Sequence, residues 1–106
     1  MGNLYYGGGA EPIRIPDRLL AHIKVVIATK LRRGESFTLT WRDGTGRSTI
    51  WLQPAIELRF VFASPEPEML DPELMKHLAN EAAGTAGIMV DLSEASTVSP
   101  TPAPRA

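Results

Sequence analysis

"SFTLTWRDGTGRSTIWL", residues 36–52, consists of two alternating runs around a polar, glycine-bearing centre. Phe37, Leu39 and Trp41 fall on one side of the first run; Ser48, Ile50 and Leu52 fall on one side of the second. A period of two is the signature of a half-buried strand. Pairing Arg42 with Arg47 sets Trp41 against Ser48, Thr40 against Thr49 and Leu39 against Ile50. Every inward residue then meets an inward residue, as a correct register requires. Asp43-Gly44-Thr45-Gly46 becomes a four-residue hairpin loop, with Asp and Gly supplying its turn conformations.

Upstream of the hairpin the period changes. From about Asp17 to Arg33, Leu19, Leu20, Ile23, Val26, Ile27 and Leu31 recur on one arc of a helix, opposite Arg18, His22, Thr29, Arg32 and Arg33. Asp17 is placed to cap the helix or to act as its first-turn acid, and Gly34 to end it in a left-handed conformation. "NLYY" (Asn3–Tyr6) and "PIRI" (Pro12–Ile15) predict short strands around Gly7-Gly8-Gly9. Downstream, Gln53-Pro54 breaks the strand, and "IELRFVF" (Ile56–Phe62) predicts another, with Ile56, Leu58, Phe60 and Phe62 inward. After the proline-punctuated "ASPEPE", Asp71 and Pro72 mark the start of a second helix, with Leu74, Met75, Leu78 and Ala82 as its apolar side. "GIMVDL" (Gly87–Leu92) fits a last short strand.

The fold class that follows is α+β: an antiparallel sheet of about four to six short strands, packed on one face by two helices. Residues 1–92 form a single domain, and residues 93–106 a disordered tail rich in Pro, Ser and Thr.

At 106 residues the chain has room for one modest core. It has no cysteine, which excludes disulfides, thiolate metal sites and thiol nucleophiles. The start has neither the basic residues nor the apolar run of a secretory signal, and no apolar stretch is long enough to span a bilayer. A cytoplasmic protein with no membrane partner is expected. Charge is unevenly placed: residues 1–62 carry nine Lys/Arg and five Asp/Glu, net +4, and residues 63–106 carry two and seven, net −5. That division suits an anionic partner for the front half, or self-association.

"LYYGGG", "IPDRLLAHIKVVIATKLRRGESFTLTW", "GRSTIWL" and "LRFVF" together resemble a family of short, uncharacterised bacterial proteins labelled ATP-dependent DNA ligase-like, over about residues 1–90. The resemblance implies nucleotidyl transfer to the lysine of a Lys-x-Asp-Gly motif. Here Asp43-Gly44 is present, but Trp41 holds the lysine position, and an indole cannot form a phosphoramide.

No other catalytic or cofactor motif stands out. Gly7-Gly8-Gly9 does not lead directly into a helix as a phosphate loop does. His22 and His77 have no partners at metal-ligand spacing and read as exposed helix residues. Neither a catalytic residue, a metal nor a cofactor is expected.

The outward sheet face is the most informative feature. Alternation sends Thr38, Thr40 and Arg42 outward from one strand, Arg47, Thr49 and Trp51 from the next, and Glu57, Arg59 and Val61 from the third. Arg42, Arg47, Trp51 and Arg59 form the candidate binding surface, with Arg18, Arg32 and Arg33 as a helical basic stripe beside it. The expected function is a non-catalytic binding module for nucleic acid, with Trp51 stacking and the arginines contacting phosphate. The alternative is a homo-oligomer or protein-interaction module using the same face. A ligase-related activity stands third.

Overall fold

The structure, a computed structural model, describes residues 1–8 and 11–92. Its elements are β1 (Gly2–Tyr6), β2 (Ile13–Ile15), α1 (Asp17–Arg32), β3 (Phe37–Asp43), β4 (Gly46–Leu52), β5 (Leu58–Val61), α2 (Pro72–Ala83) and β6 (Ile88–Asp91). The class is α+β. No helix among the described residues is long and apolar enough to cross a membrane. The expected tail, 93–106, lies outside the described residues, as does Gly9 of the glycine run.

The β3–β4 hairpin has the register that alternation dictates, from Phe37 opposite Leu52 to Arg42 opposite Arg47. Its ladder runs one pair further than expected, to Asp43 opposite Gly46, leaving a two-residue turn of Gly44 and Thr45. The Asp43 carboxylate tightens that turn by accepting from the Thr45 amide (2.9 Å), the Thr45 hydroxyl (2.7 Å) and the Gly46 amide (3.1 Å). These bonds, the Thr45 hydroxyl foremost, hold the carboxyl's pKa below its ordinary value.

The expected single antiparallel sheet is instead two three-stranded sheets, ordered β2-β1-β5 and β4-β3-β6. Two interactions make the difference. Pro54 has no amide to continue β4, and the chain turns there, with the Ile56 amide donating to the Gln53 carbonyl. β5 thereby leaves the hairpin and pairs with β1, setting Arg59 opposite Tyr5. On the other side, α2 returns the chain so that β6 joins β3 in parallel, Leu39 opposite Ile88. A parallel neighbour needs a long crossover, and here it contains β4, β5 and α2.

Both sheets and both helices feed one core, which includes Leu4, Ile15, Leu20, Ile23, Ile27, Leu39, Leu52, Leu78 and Ile88. α1 ends as its glycine requires. Gly34 takes φ +76°, its amide donates to the Leu31 carbonyl, and the Glu35 amide reaches back to Lys30. Those two bonds are the Schellman pattern. Asp17 is the first-turn acid and not the cap, which is Pro16. Its carboxylate accepts instead from the amides of Ala63 and Ser64, fastening the linker that follows β5. Asp71 caps α2 by accepting from the Glu73 amide at 2.9 Å.

His22 corrects the helical reading. It is fully buried, not exposed. Its Nδ1 lies 2.7 Å from the Arg18 carbonyl, and its Nε2 lies 2.7 Å from the Asp71 amide. An amide can only donate, so Nε2 is the acceptor and Nδ1 carries the proton. The imidazole therefore bolts α1 to the start of α2. The adjacent Arg18–Asp71 ion pair, at 2.9 Å, reinforces the joint from outside.

Candidate binding face

The register of β4-β3-β6 arranges its outer face in rows. Arg47, Arg42 and Asp91 form one; Thr49, Thr40 and Met89 form the next; Trp51 and Thr38 form the third. Thr38 continues towards Gly87, whose φ is +74° and where a Cβ would collide with the Thr38 hydroxyl and carbonyl. Only glycine permits that approach. The Thr38 hydroxyl donates to the Ala86 carbonyl at 3.3 Å, and the Thr40 and Thr49 hydroxyls share a bond of 2.8 Å.

At one end of this face Arg42 donates to Asp91 at 2.7 Å. That hydrogen bond, followed by the charge behind it, raises the guanidinium's pKa. At the other end Trp51 is 57% exposed, and on the middle row Met89 is 51% exposed. Arg47 is exposed and makes no ion pair among the described residues. The face is thus a threonine-lined plane with two exposed apolar side chains, one neutralised arginine and one open arginine.

The remaining candidate residues do not converge on it. Arg59 belongs to the other sheet, where its guanidinium lies 5.2 Å from the centre of the Tyr5 ring. Arg18 is engaged by Asp71. Arg33 lies 3.9 Å from the Glu35 carboxylate, which Lys30 already holds at 2.9 Å. Lys30's hydrogen bond is the main cause of that carboxyl's lowered pKa. Arg32 sits exposed in the last turn of α1. Met89, Asp91 and Tyr5 were not anticipated. Period-two alternation through "GIMVDL" puts Met89 and Asp91 on one side, but only the parallel pairing with β3 reveals which side.

A separate recess of about 270 Å³ lies between α1 and the linker after β5, lined in part by Ala21, Lys24, Val25, Phe62, Pro65 and Leu70. The Lys24 ammonium stands 5.6 Å from the centre of the Phe62 ring. Among the described residues, no three His, Cys, Asp or Glu side chains gather closely enough to hold a metal ion. Trp41, at the position where a nucleotidyl transferase carries lysine, packs half-buried against the core. Asp43 is committed to its own turn.

These features define a small α+β domain whose β4-β3-β6 sheet has an open outer face. Residues 1–93 match a family described as a domain of unknown function, DUF7882, and the chain belongs to that family. No curated protein and no solved structure matches it.

Proposed function

We propose that this is a non-catalytic protein-interaction module that docks its partner on the outer face of the β4-β3-β6 sheet. One observation carries the reading: Trp51 and Met89 stand exposed on the same face of the same sheet. Large apolar side chains gathered on one face are the usual core of a protein interface, and tryptophan is its commonest anchor. Nucleic acid, ranked first from sequence, becomes the second reading, because Arg42 is paired with Asp91 and Arg59 lies on the other sheet. What favours it still is Arg47, without an ion pair among the described residues and on the same face as Trp51. The ligase label gains no support from Asp43-Gly44, which is used as a turn.

Sedimentation and single-strand titration of Trp51→Ala and Arg47→Ala separate the two. Under the interaction reading, Trp51→Ala abolishes association and leaves any weak nucleic-acid binding unchanged. Under the nucleic-acid reading it costs roughly 1–3 kcal/mol of single-strand affinity, and Arg47→Ala lowers the salt slope by about one. A folded Trp51→Ala protein unaltered in both assays removes the support for either.

A further inference from the structure

From the open edge of β4 we infer that the partner is a second copy of this chain, joined by antiparallel pairing of β4 with β4 across a two-fold axis at Thr49. The inference rests on the interaction reading above and names its partner.

The direction of β4's free hydrogen-bonding groups follows from the hairpin. Asp43 and Gly46 are paired directly across a two-residue turn, which sets their backbone amides and carbonyls between the two strands. Pairs alternate along an antiparallel ladder, so Arg47, Thr49 and Trp51 direct their amides and carbonyls away from β3. Two contacts agree. The Tyr6 hydroxyl donates to the Trp51 carbonyl, which therefore is not spent on β3 and keeps one lone pair for a further donor. Across the hairpin, the Arg42 carbonyl accepts from Leu92, on the β6 side of β3.

The molecule's other sheet edges are blunted, as natural edges usually are. β2 has three residues, held between Pro12 and Pro16. β5 has four, and two residues beyond its end the Ala63 amide is taken by Asp17. On β6 the Met89 amide donates to the Glu81 carboxylate at 3.1 Å. β4 has seven residues, an unbroken register without a bulge, no proline, and exposed positions from Gly46 to Thr49. It is a long edge without a bulge, of the kind that adds a strand.

What identifies the added strand is β4's own complementarity. With the axis at Thr49, threonine meets threonine, a favourable cross-strand pair. Arg47 then meets Trp51 of the second copy, twice over by symmetry, and no arginine faces its own image. The guanidinium covers the exposed indole as a cation–π pair. The chain already contains this arrangement, since Tyr5 and Arg59 are direct partners on antiparallel strands with the cation over the ring. Leu52 falls opposite Gly46, where no side chain obstructs. The product is a continuous six-stranded sheet, β6-β3-β4-β4-β3-β6.

The test is sedimentation of the full chain over a range of concentrations, with hydrogen exchange at the edge amides. The wild type should show a species of twice the 11.5 kDa chain mass. Its Arg47, Thr49 and Trp51 amides should become protected as concentration rises. Thr49→Pro removes an outward amide that β3 does not use, and Thr49→Lys sets two ammonium groups face to face. Either variant, folded by circular dichroism, should run as a single chain. A wild type that stays at the single-chain mass, with freely exchanging edge amides at the highest concentration, overturns the inference. So does a dimer that survives in whichever Thr49 variants fold. If that surviving dimer is lost in Trp51→Ala, the docking face stands and only the edge pairing fails; if it is not, both fail.

Discussion

On the outer face of the β2-β1-β5 sheet, arginine and aromatic ring have met: Arg59 covers Tyr5 from the neighbouring strand. On the outer face of the β4-β3-β6 sheet the same pair of residue types, Arg47 and Trp51, stands on a single strand. At about 3.3 Å per residue they lie roughly 13 Å apart along β4 and cannot touch. The first sheet has the antiparallel strand that brings cation and ring together; the second ends one strand short of it. A half-exposed indole and an arginine without an ion pair among the described residues are what such a missing neighbour leaves behind. The edges follow the same division, with proline, short length or a carboxylate on three of them and, on the fourth, a seven-residue strand touched by the Tyr6 hydroxyl at its Trp51 end.

The comparison depends on a common core holding both sheets in place, and breaking that core gives the largest effect. Leu39 is fully buried on the inner face of β3. Leu39→Asp buries an unpaired carboxylate and should abolish cooperative folding. Thr38→Asp, one residue away on the outer face, should leave a single thermal transition. Circular dichroism melts distinguish them, and a Leu39→Asp protein that melts near the parent temperature would mean the two faces are assigned the wrong way round.

Uncoupling the two halves should have an intermediate effect. α1 packs against β1, and α2 against β3 and β6. His22 joins the two helices at the Asp71 amide. His22→Leu keeps the volume roughly but orphans that amide, and should cost about 1–3 kcal/mol in urea denaturation. His22→Gln, whose carbonyl can still accept, should recover part of it. Equal losses in the two variants would show that the imidazole acts by packing alone.

The smallest effect sharpens the comparison itself. In dilute solution Arg59→Ala removes a cation from a ring and should lower stability by about 0.5–1 kcal/mol. Arg47→Ala removes a side chain without a described partner and should stay within about 0.5 kcal/mol of the parent. If Arg47→Ala is the more destabilising of the two under those conditions, Arg47 already has a partner within its own chain.

Some of this was open to reading from the sequence because it depends on neighbours in the chain. The β3–β4 register follows from two alternating runs separated by a turn, and a slip by one residue would turn Leu39 and Ile50 to water. Gly34 and Asp71 act within a few residues of their own positions. By contrast, β5 satisfies alternation equally well beside β4 or beside β1. Nothing in "IELRFVF" states that Arg59 will meet Tyr5 and not join Arg47.

His22 shows the limit in a single residue. Its helical position, four residues from Arg18 and between Thr29 and Arg33 on the wheel, fits a solvent flank until α2 and its linker are laid over it. The burial, the proton on Nδ1 and the bond to Asp71 all come from a residue 49 positions away. Met89 and Asp91 likewise acquire their places from the parallel pairing with β3. The amino-acid sequence alone determined the two helices, the hairpin and its inward face, since periodicity, caps and turns are local matters of backbone geometry. The tertiary structure alone decided that there are two sheets, which arginines are spent on internal partners and which strand edge is left open, since each depends on long-range pairing for which several local solutions are equally good.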